Sequence, residues 1–173
     1  MAQKLICTWE NQSEIRALPQ GFKTNFDNLS AEMQVVNLKK LLGIEFYNDI
    51  ILNIDSTEAK YTNLLDGCDF EISGNQYRQE GLRVFLAHLI SAEYQVRGKF
   101  HETASGLIIK TDQDYQQISS GAQKQLRNDL YEYAMTFWTE INRFLCQNTS
   151  TYTLFGLSSR QSQVYKPKID KIG

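Results

Sequence analysis

Histidine and cysteine are scarce in this chain of 173 residues, which has only His88, His101, Cys7, Cys68 and Cys146. The three cysteines are odd in number, lie far apart and form no Cys-x-x-Cys pair. They therefore read as buried or free thiols rather than as a disulfide framework or a zinc site. No apolar run approaches the roughly 20 residues that cross a bilayer. The stretch Met1-Ala2-Gln3-Lys4-Leu5-Ile6-Cys7 has neither the apolar region nor the cleavage site of a signal peptide. The expectation is a protein with no membrane partner that stays in the compartment where it is made. A basic excess is also missing: 18 Lys and Arg stand against 20 acidic residues, for a net charge of -2. Specific or non-specific grip on a nucleic acid rests on clustered cations, so a dedicated DNA or RNA binder is disfavoured.

The motifs of common chemistries are absent too. There is no Gly-x-Gly-x-x-Gly, no phosphate loop, no Gly-x-Ser-x-Gly and no His-Glu-x-x-His. His101 has Glu102 beside it, but no nucleophile stands at a defined spacing from the pair. The reading is therefore not an enzyme, with no cofactor, and with no catalytic, cofactor-binding or metal residue assigned.

What is present suits one helical domain. A hydrophobic fraction of 42%, with aromatic residues making up 12% of the chain, is enough to fill a core, and 22% charged residues are ordinary for a folded protein. Residues 4–9 are apolar enough for a short strand, and Pro19-Gln20-Gly21 then breaks the chain, so 1–26 read as an N-terminal arm. Ser30 is a candidate N-cap for a helix running to Leu41 and Leu42, with Gly43 ending it. Residues 45–53 and 57–65 predict two further short helices, the second closed by Gly67. Ser73-Gly74-Asn75 then separates two short strands within 68–79.

Two long helices follow. Over 82–97, Leu82, Phe85, Leu86, Leu89, Ala92 and Val96 keep helical spacing. Glu93 falls inside that apolar arc, with Arg97 one turn later as its expected partner. It reads either as a satisfied structural acid or as a polar contact across a subunit boundary. Thr103-Ala104-Ser105-Gly106 leading into Leu107-Ile108-Ile109 predicts a strand or hairpin between the helices. From Ser120 to about Leu145, one stripe of Leu126, Leu130, Ala134, Phe137, Ile141 and Phe144 runs beside a second of Tyr131, Met135 and Trp138. Together they span roughly 200°, about twice what one packing face needs. Either both stripes serve one core, or Tyr131 and Trp138 meet a neighbouring copy. Beyond Leu145 the chain turns polar, and Tyr152, Phe155, Lys166 and Lys168 lie on a stretch read as a disordered end or a docking arm. The domain reading is 1–146 as a helical domain with its N-terminal arm, and 147–173 as an extended C-terminal arm.

The succession of segments resembles the head-to-tail connector (adaptor) proteins of tailed bacteriophages, of the kind found in phages of gut Bacteroidales, including crAss-like phages. It rests on Leu41-Leu42-Gly43-Ile44-Glu45-Phe46-Tyr47, Tyr61-Thr62-Asn63-Leu64-Leu65-Asp66-Gly67 and Gly81-Leu82. Thr103-Ala104-Ser105-Gly106 and Phe144-Leu145-Cys146-Gln147-Asn148 complete it. It covers roughly residues 27–155, and its weight lies in the order of the motifs. The resemblance implies a mainly α fold: a small helical bundle with two long helices, an inserted β-hairpin or loop between them, and extended N- and C-terminal arms. It further implies a virion protein of the neck, made in the host cytoplasm and assembled as a homo-oligomeric ring, typically of twelve copies. Such a ring docks on the portal protein, meets tail or further connector proteins, and lets DNA pass through its channel without sequence-specific binding. No catalytic residue comes with it. A near-neutral charge agrees with a channel that must not grip sliding phosphates. The alternative is a non-enzymatic helical binding module that engages one protein partner. Candidate subunit or partner contacts are Glu93, Thr103, Ser105, Gly106, Leu107, Tyr131, Trp138, Tyr152, Phe155, Lys166 and Lys168.

Overall fold

Two long helices, α6 (Gly81–Arg97) and α7 (Ser120–Gln147), pack along each other and carry the fold. The computed structural model describes residues 4–97, 100–103, 106–109 and 120–158. Before α6 come α1 (Trp9–Ile15), α2 (Lys23–Met33), a π-helical turn (Gln34–Leu38) that runs on into α3 (Lys39–Leu42), then α4 (Ile44–Leu52) and α5 (Ala59–Asp66). An antiparallel hairpin of β1 (Cys68–Ile72) and β2 (Asn75–Gln79) joins α5 to α6. A second hairpin, β3 (Phe100–Thr103) with β4 (Gly106–Ile109), lies between the long helices, and α8 (Thr153–Ser158) follows α7. This is the mainly α bundle, with two long helices and an inserted hairpin, that the sequence pattern predicts.

The core follows from where the apolar side chains recur. On α6, Leu82, Phe85, Leu86, Leu89 and Ile90 are buried at the three- and four-residue spacing of one helix face. Facing them on α7 are Ala134, Trp138, Ile141 and Leu145, also buried and spaced four, three and four apart. Trp138 lies against Phe85 with ring centroids 5.7 Å apart. Phe144 turns to another side of α7, where its ring meets Phe70 at 5.4 Å and Tyr152 at 5.5 Å. The C-terminal half of α7 is thus packed from two directions by its own chain.

Two glycines close the base of the first hairpin. Gly67 has φ +93° and Gly81 φ +90°, and a Cβ on Gly81 would stand 2.4 Å from the Leu65 carbonyl oxygen and 2.6 Å from the Gly67 nitrogen. The buried Gln79 side chain fits the same pinch, accepting the Gly81 N–H at 2.7 Å. At the far end Ser73 (φ 51°) and Gly74 (φ 81°) both take positive φ, as a two-residue turn matching strand twist requires.

Helix α2 begins earlier than expected. Ser30 is not an N-cap; it is buried in mid-helix, and its hydroxyl donates to the Cys7 carbonyl at 2.7 Å. The helical run starts at Lys23 because Phe26, Leu29 and Met33 already form its buried face.

The N-terminal arm is corrected in the same way. From Lys4 on it is tied to the core, and its helix α1 starts where the tail of a strand was expected. Thr8 caps α1 in a reciprocal capping box with Asn11. Among the described residues no strand lies beside 4–7, and side chains satisfy their backbone instead. The Gln34 amide accepts the Ile6 N–H at 2.9 Å and donates to the Lys4 carbonyl at 2.8 Å and the Tyr47 hydroxyl at 3.2 Å. Arg83 Nε donates to the Ile6 carbonyl at 3.2 Å. Ile6 and Cys7 are fully buried, and burial pushes the Cys7 thiol up to about 12.

The domain boundary at 146 moves as well. Tyr152 and Phe155 are buried, each with its ring 6.0 Å from that of Phe46 on α4, and the Tyr152 hydroxyl donates to the Lys60 carbonyl at 2.7 Å. The packed unit therefore includes α8, because these two aromatics complete the core around α4.

Candidate interaction surface

The candidate contact residues do not come together in one place. Trp138 is only 8% exposed and belongs to the core, as do Tyr152 and Phe155. Their aromatic character alone could not tell an interface from an interior. Tyr131 lies at the surface, 36% exposed. Thr103 and Gly106 pair across the second hairpin, and Leu107 pairs with Glu102. Ser105, Lys166 and Lys168 lie outside the described residues.

Glu93 finds its partner on the other long helix. Its carboxylate accepts from Arg127 Nε at 3.0 Å and pairs with Arg127 Nη2 at 2.9 Å, with the Glu93 side chain 12% exposed. The arginine expected from local spacing was Arg97, whose side chain lies outside the described residues. The observed pair pins α6 to α7. Removing one partner would leave a largely desolvated charge, which fits the structural reading of this acid.

A surface feature that takes three residues of the first expected stripe and adds Tyr133 lies on the flank of α7. Leu126, Leu130, Tyr133 and Phe137 follow one another at steps of four, three and four, the spacing of a helix-packing seam. Leu126 is 40% and Tyr133 50% exposed, while Leu130 and Phe137 are half-buried. The seam lies about 100° around the helix from the buried row of Ala134 and Trp138. Tyr133 lies on the edge of the first stripe away from the second, and it was not counted with either.

At one end of this flank the His88 ring stacks on Phe137, with centroids 4.8 Å apart and planes 9° from parallel, and Tyr133 meets both rings edge-on. Burial, with the Arg16 guanidinium adding to it, holds His88 below its ordinary value of 6.5, and its Nδ1 has no hydrogen-bond partner among the described residues. The imidazole is neutral in the fold but free to protonate in the unfolded chain. Below about pH 6.5 the unfolded chain therefore binds more protons, and stability falls as pH drops toward the lowered native value. The urea midpoint is expected to fall further between about pH 7.5 and pH 5 in the wild type than in His88→Phe. Equal falls would show that His88 does not contribute.

Elsewhere an open groove between α5, β1 and the end of α7 is lined largely by polar groups, among them Lys60, Asn63, Asp69, Glu71 and Gln147. Among the described residues no group of three or more His, Cys, Asp or Glu is placed to hold a metal ion. Among them, too, no helix is long and apolar enough to cross a membrane.

The profile of one protein family matches residues 38–163, and the chain belongs to that family, described as a family of unknown function (DUF6712). No curated protein and no solved structure matches the chain. The match takes in α3 through α8, and so the whole of the α7 flank.

Proposed function

We propose that this protein is a structural subunit of a tailed-phage particle, a ring-forming connector that docks on the portal and continues the DNA channel toward the tail. It has no enzymatic role in this reading. The observation that supports it is the apolar seam of Leu126, Leu130, Tyr133 and Phe137, which a lone subunit leaves half open along one side of a long helix. Aromatic and leucine side chains grouped in this way mark protein contacts rather than solvated surface. A contact of this flank with a different surface of the next copy is head-to-tail, and such contacts close into rings when the rotation permits. The resemblance of its segment order to phage connectors adds, to this reading, the location in the virion neck and the portal as partner.

Electron microscopy of the purified protein and of particles tests the reading. Rings are expected for the wild type, and none for a Leu126→Lys/Tyr133→Lys variant that keeps its helical circular dichroism. A wild-type protein that stays monomeric at all concentrations and is absent from particles would overturn the proposal.

A further inference from the structure

The hairpin of β1 and β2 is a sheet of two strands, so β1 has β2 on one side and, among the described residues, no strand on the other. Its register settles which backbone groups face the open side. In a hairpin with a two-residue turn, the residues flanking the turn, Ile72 and Asn75 here, form a hydrogen-bonded pair, and such pairs alternate down the ladder. Phe70 and Cys68 therefore turn their backbone toward β2, whereas Asp69 and Glu71 turn both N–H and C=O away from it. Outside the hairpin neither takes a backbone hydrogen bond among the described residues.

The open groove between α5, β1 and the end of α7 runs along this edge. Four successive residues of β1, from Cys68 to Glu71, line it, and no residue of β2 does. Side chains of a strand alternate between faces, so a wall of consecutive residues is an edge of the strand and not a face. The groove measures about 470 Å³, within the range of ligand clefts.

We propose that this edge takes an extended segment of a partner protein as a third, antiparallel strand, and that the segment reads basic, apolar, basic opposite Asp69, Phe70 and Glu71. The proposal stands apart from ring formation, because it uses neither the α7 seam nor a second copy.

The backbone supplies the grip. The partner residues opposite Asp69 and Glu71 would each exchange a pair of N–H···O bonds with β1, whatever their side chains.

The side chains set the pattern, because directly opposite residues in a sheet share a face. Phe70 lies on the face that packs on α7, its ring 5.4 Å from that of Phe144, and Tyr152 continues this aromatic floor into the groove. The middle residue of the segment points to that floor and is apolar. Asp69 and Glu71 are exposed on the other face, where Arg78 pairs with the first and the neutral Gln76 amide donates to the second. Lys60 is the one cation lining the groove among the described residues, and it is turned to Glu58 and the Tyr61 ring. From 68 to 80 the hairpin carries Asp69, Glu71 and Glu80 against Arg78, and the carbonyl end of α7 adds partial negative charge to the same groove. The two outer residues of the segment are therefore lysine or arginine. The same acids disfavour β1 of a second copy as the occupant, since pairing two such edges would set carboxylates opposite carboxylates.

Hydrogen exchange resolved to single amides in the full-length protein tests the proposal, with the peptide acetyl-Lys-Val-Lys-Val-Lys-amide as probe. In the free protein the N–H groups of Asp69 and Glu71 are expected to exchange quickly at every protein concentration, and those of Phe70 and Ile72 slowly. At a peptide concentration about ten times its dissociation constant, the Asp69 and Glu71 amides should slow about tenfold. The peptide acetyl-Glu-Val-Glu-Val-Glu-amide should leave them unchanged, as should the lysine peptide with N-methyl groups on its lysine amides. In the Asp69→Lys/Glu71→Lys variant the preference should pass to the glutamate peptide, with circular dichroism unchanged because both positions are exposed. The proposal is overturned if the lysine peptide fails to slow these two amides, if either control peptide slows them as much, or if the variant keeps the wild-type preference. It is also overturned if both amides are already slow in the free protein: slow exchange that persists on dilution would make the chain itself the occupant, and slow exchange lost on dilution a second copy.

Discussion

Gly81→Ala is expected to lower stability by about 3 to 5 kcal/mol. Two costs combine. A φ of +90° strains any residue with a Cβ, and that Cβ would lie 2.4 Å from the Leu65 carbonyl oxygen and 2.6 Å from the Gly67 nitrogen. Both obstacles are backbone, held by the end of α5 and the start of β1, so neither can move aside as a side-chain tip would. Gly74→Ala is the control. Its φ of +81° is similar, but nothing lies within 4 Å of the added Cβ, so only the conformational cost of about 1 kcal/mol applies. Urea denaturation of the two variants separates strain from collision. Equal losses would show that the pinch between Gly67 and Gly81 does not carry the hairpin base.

Trp138→Ala should cost about 3 to 5 kcal/mol in the isolated subunit, the usual range for removing a large buried aromatic. The side chain is 8% exposed and rests on Phe85 across the α6–α7 seam. Tyr133→Ala, only five residues earlier but 50% exposed, should cost the subunit less than about 1 kcal/mol. Denaturation at dilution, where contacts between copies are lost, compares the two directly. If Trp138 were instead a contact between copies, its replacement would leave the dilute subunit as stable as the wild type.

These two positions also show what the sequence could reveal. Local signals placed the elements well. Gly43, Gly67 and the Ser73-Gly74 turn punctuate the chain where helices end and strands reverse, and the spacing of Leu82, Phe85, Leu86 and Leu89 gave α6 over 82–97. Each of these depends on residues within a few positions of one another. Errors arose where the deciding partner is remote in sequence. Ser30 has the side chain of an N-cap, yet its hydroxyl is used by a carbonyl 23 residues earlier. Glu93 pairs with Arg127, 34 residues on, a contact that no local spacing announces, while the expected partner Arg97 has its side chain outside the described residues.

The candidate contacts were less legible than the fold. A wide apolar arc on a helix states that more than one surface is covered, not which element covers it. On α7 the answer changes along the helix: Phe144 and Leu145 are both buried within the chain, while Leu126 and Tyr133 remain at the surface. Tyr152 and Phe155 were set apart as an arm because no helical period survives around them. Their burial depends on Phe46, about a hundred residues earlier, and on the apolar gap that α4 leaves beside it.

The side-chain clasp on residues 4–7 has a consequence for the order of events during synthesis. Ile6 is translated long before Arg83, which lies 77 residues later, and Gln12 waits 79 residues for Ser91, to which its amide donates. At roughly 5 to 20 residues per second the nascent chain carries Leu5, Ile6 and Cys7 without their full set of partners for about 4 to 15 s. A segment made early is thus among the last to be locked in place. A bulky fusion at the amino end would burden that final step, whereas the helices it closes over could already have formed.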